Sequence, residues 1–102
     1  MKIKVNKSDF ELKFSFKGEM LFEQITGRTF SGEGMTDWIT FLFCHCVAND
    51  KDFMAYDEYL TWISDNPGVF YEFIEEYGEY VKKLTKIRNA IAEKKTKQTK
   101  KS

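Results

Sequence analysis

From Trp38 to Ala48 the chain reads W-I-T-F-L-F-C-H-C-V-A, and on a helical wheel its apolar residues fall on every side. Trp38, Ile39, Phe41, Leu42, Phe43, Cys44, Cys46, Val47 and Ala48 leave no polar stripe wide enough to face water. A helix of that kind sits either at the centre of its own domain or under a partner. Whatever the other elements are, they must wrap this one. With 102 residues the chain makes one small domain, and a chain of this size buries roughly two-thirds of its unfolded surface. Complete cover by its own elements is therefore hard to arrange, and the sequence leaves both readings open, a core helix and a partner-covered one.

The flanking elements follow from periodicity and punctuation. Ile3 and Val5 alternate with Lys2 and Lys4, and Phe10, Leu12 and Phe14 alternate with Glu11 and Lys13, the period of strands with one dry face. Turn-formers from Asn6 to Asp9 join them into an antiparallel hairpin. A lone hairpin is marginal in water, so this one must lie on helices. Ser15 is the expected N-cap of a helix over 16–26, with Phe16, Met20, Leu21 or Phe22, and Ile25 on its dry face and Gly27 as its left-handed stop. The glycine-rich stretch 28–34 reads as a loop. Thr36 is the expected cap of the apolar helix, which ends near Asn49, and Asp37 suits its positive end. A short helix over 54–64 buries Tyr56, Tyr59, Leu60 and Ile63. Asn66 and Pro67 then read as cap and first residue of a last helix reaching Glu93, with Phe70, Phe73, Ile74, Tyr77, Val81 and Leu84 as its stripe. Firm docking of that stripe should end near Leu84, where Arg88 breaks it, leaving Ile87 and Ile91 for a neighbour. The expected fold is mainly α with some β (α+β): an N-terminal hairpin packed on a bundle of about four helices, the last one long. Residues 1–93 form the domain and 94–102 a basic, disordered tail.

Composition narrows the function. The chain is 42% hydrophobic and 17% aromatic, enough for a compact core, and its formal net charge is zero. That zero conceals an asymmetry, because Lys94, Lys95, Lys97, Lys100 and Lys101 follow a body richer in acids than bases. No secretory signal or membrane span is visible, and two cysteines two residues apart suit a reducing cytoplasm better than a disulfide. Cys44-His45-Cys46 invites a metal reading, but zinc needs three or four converging ligands and neighbours on a helix point away from one another. The same geometry argues against a Cys–His catalytic pair. Asp57/Glu58 and Glu75/Glu76 lie on wet faces rather than across a cleft. The glycines of 27–34 lack the Gly-Lys-Ser/Thr of a phosphate loop. No catalytic, metal-binding or cofactor-binding set emerges, which points away from an enzyme. The five tail lysines could bind nucleic acid weakly, but no aromatic is interleaved with them to stack bases. A small regulatory nucleic-acid-binding protein is thus the alternative reading.

The opening K-I-K-V…F-E-L-K-F-S-F, the helix end F-E-Q-I-T-G-R-T-F, the apolar helix closing on A-N-D, the Y-D-E-Y-L segment and the D-N-P that opens the last helix come in a particular order. In that order and at those spacings the chain resembles the small tail assembly chaperones of long-tailed bacteriophages and prophages. The resemblance covers the chain to about Leu84. It implies a non-catalytic protein that coats the tape measure protein, keeps it soluble and recruits tail tube subunits. Such a protein would act in the host bacterial cytoplasm, stay out of the mature virion, and self-associate along its client. Members of that family commonly make a longer form by ribosomal frameshifting, for which a run of adenines encoding Lys94-Lys95 would be the place. The family has no invariant site, so candidate partner contacts come from the residues alone: Trp38, Phe41, Phe43, Trp62, Tyr80, Ile87 and Ile91.

Overall fold

The computed structural model describes residues 1–100, with side chains to Lys95. Two antiparallel strands, β1 (Lys2–Val5) and β2 (Ser8–Glu11), precede four helices: α1 (Phe16–Thr26), α2 (Met35–Asn49), α3 (Tyr56–Asp65) and α4 (Pro67–Lys100). The mainly helical fold with an N-terminal hairpin and a long last helix is the expected one. Val5 pairs with Ser8, so the turn is only Asn6-Lys7, tighter than the sequence suggested. Both turn residues have positive φ, 50° and 69°, as a two-residue I′ hairpin requires. Beyond β2 the ladder gains one more pair, Met1 with Leu12, through two 2.8 Å bonds.

α2 is the core helix, which resolves the question its sequence left open. Phe41, Leu42, Cys44, His45 and Cys46 are buried in the free chain, and Trp38, Ile39, Phe43 and Val47 are half-buried. On one side an aromatic cluster joins Phe14, Phe22, Phe30, Phe41, Phe73 and Tyr77. On the other, Phe43 meets Tyr56 and Tyr59 at 5.0 and 5.1 Å, and Phe10 reaches Phe53 from the hairpin at 5.5 Å. The hairpin is also tied to the end of α2 by Asn49. Its amide donates to the Lys13 carbonyl at 2.9 Å and accepts from the Lys13 N–H at 3.1 Å, as a paired strand would.

The F-E-Q-I-T-G-R-T-F segment makes the corner between α1 and α2. Ser15 accepts from the Gly18 N–H at 3.3 Å, and Gly27 ends α1 in the left-handed region (φ 74°), so both expected caps are present. Thr26 Oγ1 donates back to the Phe22 carbonyl at 2.7 Å. Arg28 grips buried Asp37 with both guanidinium nitrogens and lies 5.8 Å over the Phe22 ring. That pairing holds the Asp37 carboxyl below the usual carboxylate range and raises Arg28. Phe30 completes the corner, lying parallel on Phe41 with centroids 3.7 Å apart.

Four local expectations need correction. The inward face of α1 is Gly18, Leu21 and Phe22, while Phe16, Met20 and Ile25 are exposed. A wheel scores glycine as neutral, yet here Gly18 marks a close approach of α1 to α2: a β-carbon on it would lie 2.6 Å from His45 Cδ2. Thr36 does not cap α2; the helix starts at Met35 behind Gly34, whose φ of 81° turns the chain in. α3 starts two residues later than expected, because Asp50 holds 50–53 in a turn by accepting from the N–H groups of Asp52 and Phe53. Asn66 stands just before Pro67, the first residue of α4, as expected, and its carbonyl accepts from the Val69 N–H at 3.1 Å. Its side chain, however, turns back to α3 instead of capping α4, its amide donating to the Trp62 carbonyl at 2.8 Å.

α4 also outruns its expected end at Glu93 and continues to Lys100. The 90–95 segment (A-I-A-E-K-K) contains strong helix formers and no glycine or proline, and lysines suit a helix C-terminus. The tail expectation otherwise falls on Lys101 and Ser102, outside the described residues.

Candidate functional site

Every described residue from Lys86 to Lys95 is exposed, so α4 stops packing on the body just past Leu84, where its stripe was expected to lose its docking. The helix then projects, giving a long axis of 58 Å against 29 and 24 Å across. At the root of the projection, α1 and α4 enclose an open groove of about 510 Å³. The Ser15 cap sets Phe16 as the first helical residue of α1, with no preceding turn to shelter it, and the residue, 63% exposed, forms one wall. Val81, Leu84, Ile87 and Ile91 form the other wall, Ile87 and Ile91 being 53% and 51% exposed. At the inner end Tyr77 donates to Glu19 Oε1 at 2.8 Å, tying α4 to α1. Burial, and then that carboxylate, push the Tyr77 hydroxyl well above its ordinary pKa, so it stays a donor.

Of the residues singled out from the sequence, Ile87 and Ile91 come together in this groove. Phe41 has no exposed surface and belongs to the monomer core, so it offers nothing to a partner in this fold. Trp38 is half-buried against Phe30 at 4.8 Å, its indole N–H donating to the Gly32 carbonyl at 3.0 Å. Phe43 and Trp62 flank the second aromatic cluster, and Tyr80 stacks on Phe14 at 5.3 Å. These residues lie apart from the groove lining. Lys94 and Lys95 are exposed on α4; Lys97 and Lys100 belong to its backbone span, and Lys101 lies outside the described residues. Sequence reasoning missed Phe16, assigning it to the dry face; its place at the first helical position was the available signal.

The Cys44-His45-Cys46 run is a core feature. Burial pushes the Cys44 thiol up to about 11 and Cys46 higher still, so neither is a thiolate near neutrality. His45 Nδ1 donates to the Phe41 carbonyl at 3.0 Å, which leaves Nε2 buried without a partner, facing Gly18. Among the described residues no three His, Cys, Asp or Glu side chains are grouped to hold a metal, and no helix is long and apolar enough to cross a membrane.

Burial lowers the pKa of His45, partly offset by the Phe41 carbonyl and the Glu19 charge. Between the lowered folded value and an unfolded value of about 6.5, the unfolded chain takes the proton and the folded chain does not. Stability should therefore be flat above about pH 6.5 and fall as the pH drops below it. His45 is the one histidine in the chain, so urea midpoints recorded from pH 7.5 to 5.5 isolate its effect. An unchanged midpoint over that range would contradict a buried neutral imidazole.

Comparison with protein-family models, with curated proteins and with solved structures finds no match to this chain, so function rests on its own residues and geometry.

Proposed function

We propose that the chain is a non-catalytic binding protein of the phage or prophage tail assembly chaperone kind. It coats the tape measure protein in the host bacterial cytoplasm, keeps it soluble, and recruits tail tube subunits to it. The observation that carries this reading is the groove between α1 and α4. Aliphatic and aromatic surface left open beside an otherwise closed core suits the capture of a helical, apolar client. A client that must later be released calls for a modest interface, and a patch of this size is modest. The order of sequence motifs adds support, since Phe22, Thr26, Gly27, Arg28 and Phe30 of F-E-Q-I-T-G-R-T-F build the corner that sets α1, and hence Phe16, in position. Copies aligned on a long client would also meet one another, so self-association at high concentration belongs to the proposal.

The test is co-expression of the full chain with a tape measure protein, the long, apolar-rich helical product that the proposal expects a neighbouring gene to encode. The expected outcome is a client that stays soluble and co-purifies with the chain, and that still does so after deletion of 94–102. A client that precipitates equally with and without the chain would contradict the proposal. So would binding that vanishes on deletion of the lysine tail alone, which would favour the nucleic-acid reading instead.

A further inference from the structure

The outer part of the apolar groove, past Leu84, is bordered by basic side chains, Arg88 being the base in its lining. From Lys82 to Lys95 the helix carries Lys82, Lys83, Lys86, Arg88, Lys94 and Lys95 against the single acid Glu93. On the wheel Leu84, Ile87 and Ile91 share one face, with Lys83 and Lys94 along one flank and Arg88 within the stripe, in the groove lining. Glu93 falls on the opposite side of the helix together with Lys82 and Lys86, and Lys82 is paired with Glu79 at 3.2 Å, so the bases beside the groove are Lys83, Arg88, Lys94 and Lys95. The acid at the inner end, Glu19, accepts from Tyr77 at 2.8 Å and belongs to the lining, so the basic border is confined to the outer part of the groove. The strip from Val81 to Ile91 is about 15 Å long, three turns of an occupant helix.

We infer that this groove takes an amphipathic helix of another protein, one whose apolar stripe is bordered by Asp and Glu. The inference rests on the proposed function for the existence of a helical client and adds the chemistry by which the client is chosen. A second copy of this chain does not supply such a helix. Its other exposed large apolar residues, Met20, Ile25, Met35, Tyr56 and Tyr71, are scattered over separate faces and elements. Its own projecting α4 would set bases against bases. An anionic bilayer also fits less well, because the site is a concavity walled by Phe16, whereas an interfacial helix presents a convex apolar face.

The test titrates the full chain with two labelled synthetic helices sharing one leucine stripe, bordered by Glu in one and by Lys in the other, and with phosphatidylserine vesicles. The Glu-bordered helix is expected to bind, more weakly as salt rises. Ile87→Asp should lower that affinity at least about tenfold with an unchanged circular dichroism spectrum, since Ile87 stands clear of the core. The inference is overturned if both helices bind alike, if neither binds, or if Ile87→Asp binds as well as the original chain. It is likewise overturned if the groove residues serve vesicle binding or dimerisation instead. Peptide binding beside a client that stays insoluble would sink the proposed function and leave this inference standing. Client binding indifferent to Ile87→Asp would do the reverse.

Discussion

Phe41→Ala is expected to destabilise the domain by about 3–5 kcal/mol, the cost of emptying a fully packed phenylalanine site. A domain of this size holds roughly 5–15 kcal/mol in all, so the variant should be partly unfolded at moderate temperature. The effect is large because Phe41 is the hub of the core. Phe30 lies flat on it at 3.7 Å, Phe22, Tyr77 and His45 meet its edge or face at 5.7, 5.0 and 4.5 Å, and its carbonyl accepts from His45. Removing the ring loosens α1, α4 and the Arg28 loop together. Phe41→Asp, which buries a charge there, should abolish folding altogether. Urea unfolding followed by circular dichroism measures the loss, and a Phe41→Ala midpoint close to the original would mean that α2 is not the centre of the domain.

Gly18→Ala should also destabilise the protein, by about 1–3 kcal/mol, although alanine is the better helix former by about 1 kcal/mol. The new β-carbon would stand 2.6 Å from His45 Cδ2 and 2.7 Å from Nε2. The imidazole cannot swing aside freely, because its Nδ1 is bonded to Phe41 and its ring is hemmed by Phe14 and Phe73, each at 5.7 Å. The sign of the change is thus opposite to what helix propensity alone dictates. His45→Ala should relieve the clash, so the double variant should be more stable than the sum of the single changes allows. If Gly18→Ala proved neutral or stabilising, or the two changes proved additive, α1 would not lie against α2 at this point.

The elements readable from the sequence are those fixed by neighbours in the chain. Alternation marked the hairpin, Ser15 and Gly27 marked the two ends of α1, and Arg88 within the stripe of α4 marked where docking stops. The features that escaped depend on residues far apart. Asn49 acting as a strand partner for Lys13, Arg28 holding Asp37, and Gly18 receiving His45 carry no periodic signature. The site was legible in part for the same reason. Ile87 and Ile91 stood out because they follow the last docked residue of their own helix. The wheel placed Phe16 on the dry face, although its first helical position was a signal of exposure and the side of α1 that lies on His45 completes it. Phe41 was misplaced among partner contacts because a helix apolar on all sides does not disclose from its sequence which side, if any, is left bare.

The central claim is that the open face between α1 and α4 holds the client. Amide hydrogen exchange on the full chain, alone and with the client co-purified, tests it most directly. A projecting helix without tertiary cover opens readily and exchanges quickly. The account predicts that the client slows exchange most across 81–91, with a smaller change near Phe16 and little in α2, which is already protected. Unchanged exchange across 81–91 in a chain that demonstrably holds the client would contradict it.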